Sequence, residues 1–144
     1  MKEIDKEIEI IVLSAYCDII IKLLIDSNQL SVLKTIVFAY LLKKEEYQYK
    51  KIFKGNTTKN VTLKYLSTLN GELDDFKLNL PYIVHSIDLL NKSQKIDVKN
   101  NIIKILKTSD TAPNLNFSSF VQKAIAESKD FSDEQFLKEV FASV

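Results

Sequence analysis

The chain has 144 residues, 46% of them hydrophobic, which is about one ordinary domain with enough apolar side chains to close a core. Twenty basic against nineteen acidic residues leave a formal net charge of +1, so bulk charge argues neither for nor against nucleic acid. Two Gly and two Pro exclude collagen-like and linker-rich chains, and a single Cys excludes a disulfide framework or a multi-thiolate metal site.

Met1 to Glu7 is mixed and acidic, unlike the basic and then apolar opening of a targeting signal, and a cytoplasmic location is expected. Residues 4–27 read as one long helix, with Ile4, Ile8, Ile11, Ala15, Ile19 and Leu23 on one stripe. Ile10, Leu13, Ile20, Ile21 and Leu24 fill its other faces, so it either runs through the middle of the domain or has one side covered by a partner. The apolar run from Ile10 to Ile25 is shorter than the ~20 residues of a membrane span. It also carries Asp18 and Lys22, placed to pair at i,i+4.

A second helix is expected over about 30–46, grouping Leu30, Leu33, Val37, Tyr40 and Leu41 and ending in Lys43, Lys44, Glu45 and Glu46. Tyr47 to Asn60 reads as a short aromatic segment and a loop around Gly55-Asn56. Asn60 is placed to cap a third helix over 61–69, and Asn70-Gly71 to stop it. Glu72 to Leu78 is expected to form one turn or a short helix. Asn79 would then cap a fourth helix with Pro81 in its first turn, where the missing N–H costs nothing.

Lys95 to Lys99 alternates polar and apolar residues, Asn100-Asn101 is a two-residue turn that tolerates positive φ, and Ile102 to Leu106 returns. Ile96, Val98, Ile103 and Ile105 would face one core. After a loop over 110–116 with Pro113, two amphipathic helices are expected at about 117–128 and 133–142, the latter opened by a Ser132/Gln135 capping box. The fold class is therefore mainly α with a small β-hairpin. We read a winged helix-turn-helix-like core, an N-terminal buried helix and two C-terminal helices. All 144 residues form one domain, with N-terminal helices over 4–46, the winged-helix-like core over 58–107 and a C-terminal helical extension over 110–144.

Catalytic constellations are not evident. His85 is the sole histidine, which excludes a multi-histidine metal site, and Cys17 lies in the most apolar helix, where a thiolate is disfavoured. Asp74-Asp75 beside Glu72 offers carboxylates to a divalent ion, but neighbouring carboxylates in a polar turn are more often simply solvated. Lys54 to Lys59 has the residue types of a phosphate loop without its spacing. No enzyme, cofactor, small-molecule substrate or membrane association is expected.

Every basic residue is Lys, so an arginine finger and bidentate guanidinium capture of guanine are both excluded. Lys50, Lys51, Lys54, Lys59 and Lys64 alternate with aromatics, and Lys95, Lys99 and Lys104 belong to the hairpin. These lysines are the candidates for backbone contact with nucleic acid, although a solvated face is the commoner meaning of such clusters. On the fourth helix, Leu80, Ile83, Ile87 and Leu90 in the core would leave Tyr82, His85, Asp88, Leu89 and Lys92 outside. Tyr82, His85 and Leu89 suit a protein interface better than base reading.

At Leu78-Asn79-Leu80-Pro81-Tyr82-Ile83-Val84-His85 the chain resembles the middle component of bacterial three-component ABC systems, including Lamassu-type defence. The resemblance covers about residues 8–107, with Tyr82 where an aliphatic residue is usual and no basic flank in Ser86-Ile87-Asp88. It implies a non-catalytic subunit bridging an SMC-like ATPase and a nuclease effector in anti-phage or anti-plasmid defence. It implies no catalytic residue, and any contact with DNA would be non-specific and made through the complex. Two other readings stay open: a winged-helix DNA-binding transcriptional regulator, and a stand-alone homodimeric helical protein paired through its first helix.

Overall fold

The computed structural model describes residues 2–45, 60–106 and 116–144, with side chains from residue 5 to residue 44 in the first stretch. Helix α1 spans Lys2–Ser27, strand β1 Gln29–Ser31 and helix α2 Val32–Glu45. Helix α3 spans Val61–Leu66 and continues as a 3-10 turn over Ser67–Leu69, and helix α4 covers Leu73–Lys92. Strands β2 and β3 are Ile96–Lys99 and Ile102–Ile105, followed by α5 at Ser119–Ser128 and α6 at Asp133–Ser143. The described fold is mainly helical with one small antiparallel sheet ordered β1–β3–β2. None of the described helices is long and apolar enough to cross a membrane.

The expected hairpin forms as read. Lys99 pairs with Ile102 across Asn100 and Asn101, whose φ values of 53° and 63° are the left-handed pair a tight two-residue turn requires. Ile96 and Ile103 are buried and Val98 and Ile105 half-buried, while Asp97, Lys99 and Lys104 are exposed. The third strand was not expected. Asn28, with φ 67°, ends α1 and turns Gln29–Ser31 alongside β3, with Leu30 opposite Ile103. Three extended residues carry no periodicity of their own, and only the distant hairpin makes them a strand. Ser31 then opens α2 by accepting from the Lys34 N–H at 3.2 Å.

Helix α3 begins differently from expectation. Asn60 adopts a left-handed conformation and makes no side-chain cap; the Glu127 carboxylate on α5 accepts from the Val61 N–H at 3.1 Å instead. Thr62 Oγ1 donates to the Ala124 carbonyl at 2.6 Å, fastening the same two helices. Past the 3-10 turn, Gly71 alone takes the left-handed conformation (φ 77°), with the Glu72 N–H bonded to the Leu69 carbonyl at 2.9 Å. Asn70 is extended (φ −56°, ψ 124°), the partner conformation of a type II turn.

The break expected at Asn79 is absent, because α4 runs unbroken through Pro81. Asn79 is an interior residue whose Nδ2 donates to the Asp75 carbonyl at 2.8 Å and whose Oδ1 accepts from Tyr16 at 2.8 Å. An interior proline removes one helical hydrogen bond and costs ~3 kcal/mol in isolation. Here that cost is met by anchors upstream of it: Tyr40 donates to Asp75 at 2.6 Å, and Phe76 sets its ring edge-on to Tyr40 at 5.1 Å.

One apolar cluster unites all these elements. Tyr16, Ile20, Leu23 and Leu24 of α1, Phe38 of α2, Leu66, Ile83 of α4, Ile103, Ala124 of α5 and Phe136 of α6 are among its fully buried members. The C-terminal helices belong to it. Phe136 packs edge-on against Phe38 at 5.5 Å, and the turn before α6 is held by two lysines. Lys34 Nζ donates to the Phe131 carbonyl at 2.5 Å, and Lys129 Nζ donates to the Ser27 carbonyl at 2.6 Å, where a cation suits the C-terminal end of α1. The last helix opens with the expected capping box: Ser132 Oγ accepts from Gln135 N and Gln135 Oε1 from Ser132 N.

Candidate protein-contact surface

Helix α4 is the element that presents the candidate side chains, and a polar junction with α1 and α2 fixes its position. Tyr16 and Tyr40 are buried, and their hydroxyls reach Asn79 and Asp75. Burial raises both phenols above their ordinary pKa, and the nearby Asp75 carboxylate adds to the rise. Lys43 lies 5.8 Å above the Tyr16 ring, and Lys44 pairs with Glu72 beside the start of α4. Glu72 and Asp75, read from the sequence as part of a solvated acidic turn, are thus partners of α2. Among the described residues no group of three or more His, Cys, Asp or Glu side chains is arranged to hold a metal ion.

Farther along, α4 crosses α1 at Ser86. This small residue is completely buried, its Oγ donates to the Tyr82 carbonyl at 2.8 Å, and it lies 3.2 Å from the Leu13 carbonyl. The Cys17 thiol faces the Ser86 carbonyl at 3.9 Å, and burial pushes its pKa up, which disfavours a thiolate. His85 points to the other, exposed side of the helix, so the structure gives Cys17 a backbone acceptor rather than an imidazole.

The outward face of α4 is only partly the one expected. His85 and Leu89 are exposed, Leu89 at 41%. Tyr82 is half-buried against the core, one residue out of phase with its expected place. Val84 (49% exposed) and Leu78 (71%) take up the apolar character of this face, and sequence reasoning missed both. Asp88 and Lys92, the two outward charges expected there, pair with each other at 2.9 Å.

The lysines divide in the same way. Lys95, Lys99 and Lys104 are exposed at the hairpin, with Asp97 directly opposite Lys104 in the sheet register. Lys64 on α3 is half-buried, whereas Lys50, Lys51, Lys54 and Lys59 lie outside the described residues.

A second exposed apolar set lies on α1, where Ile8, Ile10 and Ile11 are 54%, 64% and 67% exposed. The expected pairing of Asp18 with Lys22 is replaced by Lys22 with Asp26 at 3.2 Å. The expected all-round burial of α1 is not met: burial begins only at Leu13, and Ser14, Asp18 and Asp26 remain exposed beyond it. Charge density carried the missing signal, because six of the eight residues from Lys2 to Glu9 are charged, too many for a helix wrapped by a core. No protein-family model, no curated protein and no solved structure matches this chain.

Proposed function

We propose that this protein is a non-catalytic protein-contact subunit, a small helical module that docks on partners through α1 and α4. The observation that carries the reading is the outward face of α4. Leu78, Val84 and Leu89 are exposed there, and two of its charges, Asp88 and Lys92, neutralise each other. Such a face offers phosphate no net attraction and offers bases few donors, but it supplies the aliphatic centre of an interface. Within that class, the particular role we propose is the bridging subunit of an SMC-like ATPase complex with a nuclease effector, in anti-phage or anti-plasmid defence. This is the role implied by the resemblance around Pro81.

The finer fold reading belongs to the same proposal. A helix, a short strand, further helices and a hairpin, with strand order β1–β3–β2, is an arrangement that suits a winged helix with the β2–β3 hairpin as its wing. Here two helices, α2 and α3, stand between β1 and the helix that precedes the hairpin.

A tagged chain purified from its native host tests the assignment. Recovery of an SMC-like ATPase in stoichiometric amount is expected, and a bait without that partner would sink the bridging role. Replacing Val84 and Leu89 together by Ser should leave the melting temperature within a few degrees of the parent while weakening the complex. Unfolding of the isolated variant would show instead that these side chains serve the core. One observation favours a second reading: the exposed lysines Lys95, Lys99 and Lys104 suit weak, backbone-directed contact with DNA. Its mark would be a binding constant that falls steeply with salt and is indifferent to sequence.

A further inference from the structure

The opening turns of α1, as far as Ile11, form a helical arm whose isoleucines Ile8, Ile10 and Ile11 are left exposed by the described fold. From Asp5 to Ile11 every side chain is exposed except that of Glu9, which is half-buried. Val12 is the first residue of α1 to pack against the core and Leu13 the first to be buried, and the hydrogen bonds from α1 to α4 start at Leu13, Tyr16 and Cys17.

The arm is patterned. At 100° per residue, Ile8, Ile11 and Ala15 fall within an arc of about 60°, on the side of the helix opposite Leu13 and Cys17. Steps of three and four residues are the seam spacing of paired helices. Asp5 and Glu7 flank this seam on its two sides, and Lys6 lies on the back. Asp18, exposed, extends the acidic margin past the first turns. An isolated helix of this length is marginal in water, and its exposed aliphatic stripe gains by being covered.

We infer that this arm docks an amphipathic helix of a partner protein, with aliphatic residues on its seam and Lys or Arg on its flanks. The charges choose the occupant. A second copy would bring Asp5 and Glu7 against the same acidic margin, where like charges repel. A basic-flanked helix pairs with both margins and covers Ile8 and Ile11. The inference rests on the reading of the chain as a protein-contact subunit and supplies the chemistry of one partner.

Two synthetic peptides of about four heptads test it, both with Ile and Leu on the seam, one flanked by Lys and the other by Glu. The Lys-flanked peptide is expected to bind the full chain, more weakly as salt rises, and the Glu-flanked peptide at least about tenfold less well. The double substitution Ile8→Ser and Ile11→Ser should reduce Lys-peptide binding by about tenfold or more with circular dichroism unchanged. The double substitution Asp5→Lys and Glu7→Lys should reverse the preference between peptides, a result that loss of folding cannot imitate.

Equal binding of the two peptides, binding of neither, or Lys-peptide binding untouched by the Ser substitutions would overturn the inference. So would a dimer of the parent chain in sedimentation equilibrium that the Ser substitutions dissolve, which would give the seam to a second copy. The bridging role fails separately: recovery of the ATPase with no peptide binding removes only the seam, and peptide binding with no ATPase removes only the bridging role.

Discussion

The two halves of α1 are similarly rich in aliphatic residues and meet opposite surroundings. Ile8, Ile10 and Ile11 stand in solvent, whereas Tyr16, Ile20, Leu23 and Leu24 are among the most deeply buried side chains of the protein. Helix propensity does not separate them, since the same continuous helix contains both. The difference lies in what crosses the helix. Beginning at Leu13, α4, α2 and the sheet pack on its several faces, and before that point charged residues interleave with the isoleucines. Burial here is a property of neighbours, and an aliphatic residue contributes to stability only where neighbours exist.

The sharpest way to break this comparison is truncation on each side of Leu13. Leu23→Ala or Leu24→Ala should cost about 2–5 kcal/mol in urea unfolding, through lost transfer energy and the cavity left behind. Ile8→Ala and Ile10→Ala should stay within about 0.5 kcal/mol. Comparable losses in both halves would show that the arm is covered in the free protein.

Next in size comes the alkaline limb of the stability curve. Tyr16 and Tyr40 have folded-state pKa values raised above those of the unfolded chain. Their contribution is therefore fully present below about pH 10 and is lost as pH climbs beyond it. Each phenol kept protonated in the fold but ionised on unfolding steepens the loss by about 1.4 kcal/mol per pH unit. Urea midpoints between pH 8 and pH 11 should fall accordingly, and Tyr40→Phe should flatten the limb. A limb equally steep in that variant would place the titration elsewhere.

At neutral pH the same Tyr40→Phe change should cost about 1 kcal/mol, because Asp75 loses the donor that ties α4 to α2. The smallest expected effect is at the far side of the molecule. Glu127→Ala removes the carboxylate that accepts from the Val61 N–H and should cost about 0.5–1 kcal/mol. Faster amide exchange confined to α3 would mark it as a capping effect, and no change there would mean that water substitutes for the carboxylate.

Much of the secondary structure was legible because it depends on neighbours in the chain. The hairpin followed from alternation around Asn100-Asn101, and the capping box from Ser132 and Gln135. The core face of α4 at Ile83, Ile87 and Leu90 followed from helical spacing. The candidate surface was legible only in part. His85 and Leu89 were placed correctly, but Tyr82 turned inward and Val84 outward, since one step of helical phase moves a side chain by about 100°.

The amino-acid sequence by itself determined the central part of each helix, where the hairpin turns and how the last helix is capped, because local hydrogen bonds and periodicity decide these. Only the tertiary structure decided that Gln29–Ser31 is a strand, that α4 continues through Pro81 and that Glu127 caps a helix 66 residues away in sequence. Each of these depends on groups distant in the chain: β3 for the strand, Tyr16 and Tyr40 for the helix, α5 for the cap. Such contacts carry no local signal, and their strength comes from the core that brings the partners together.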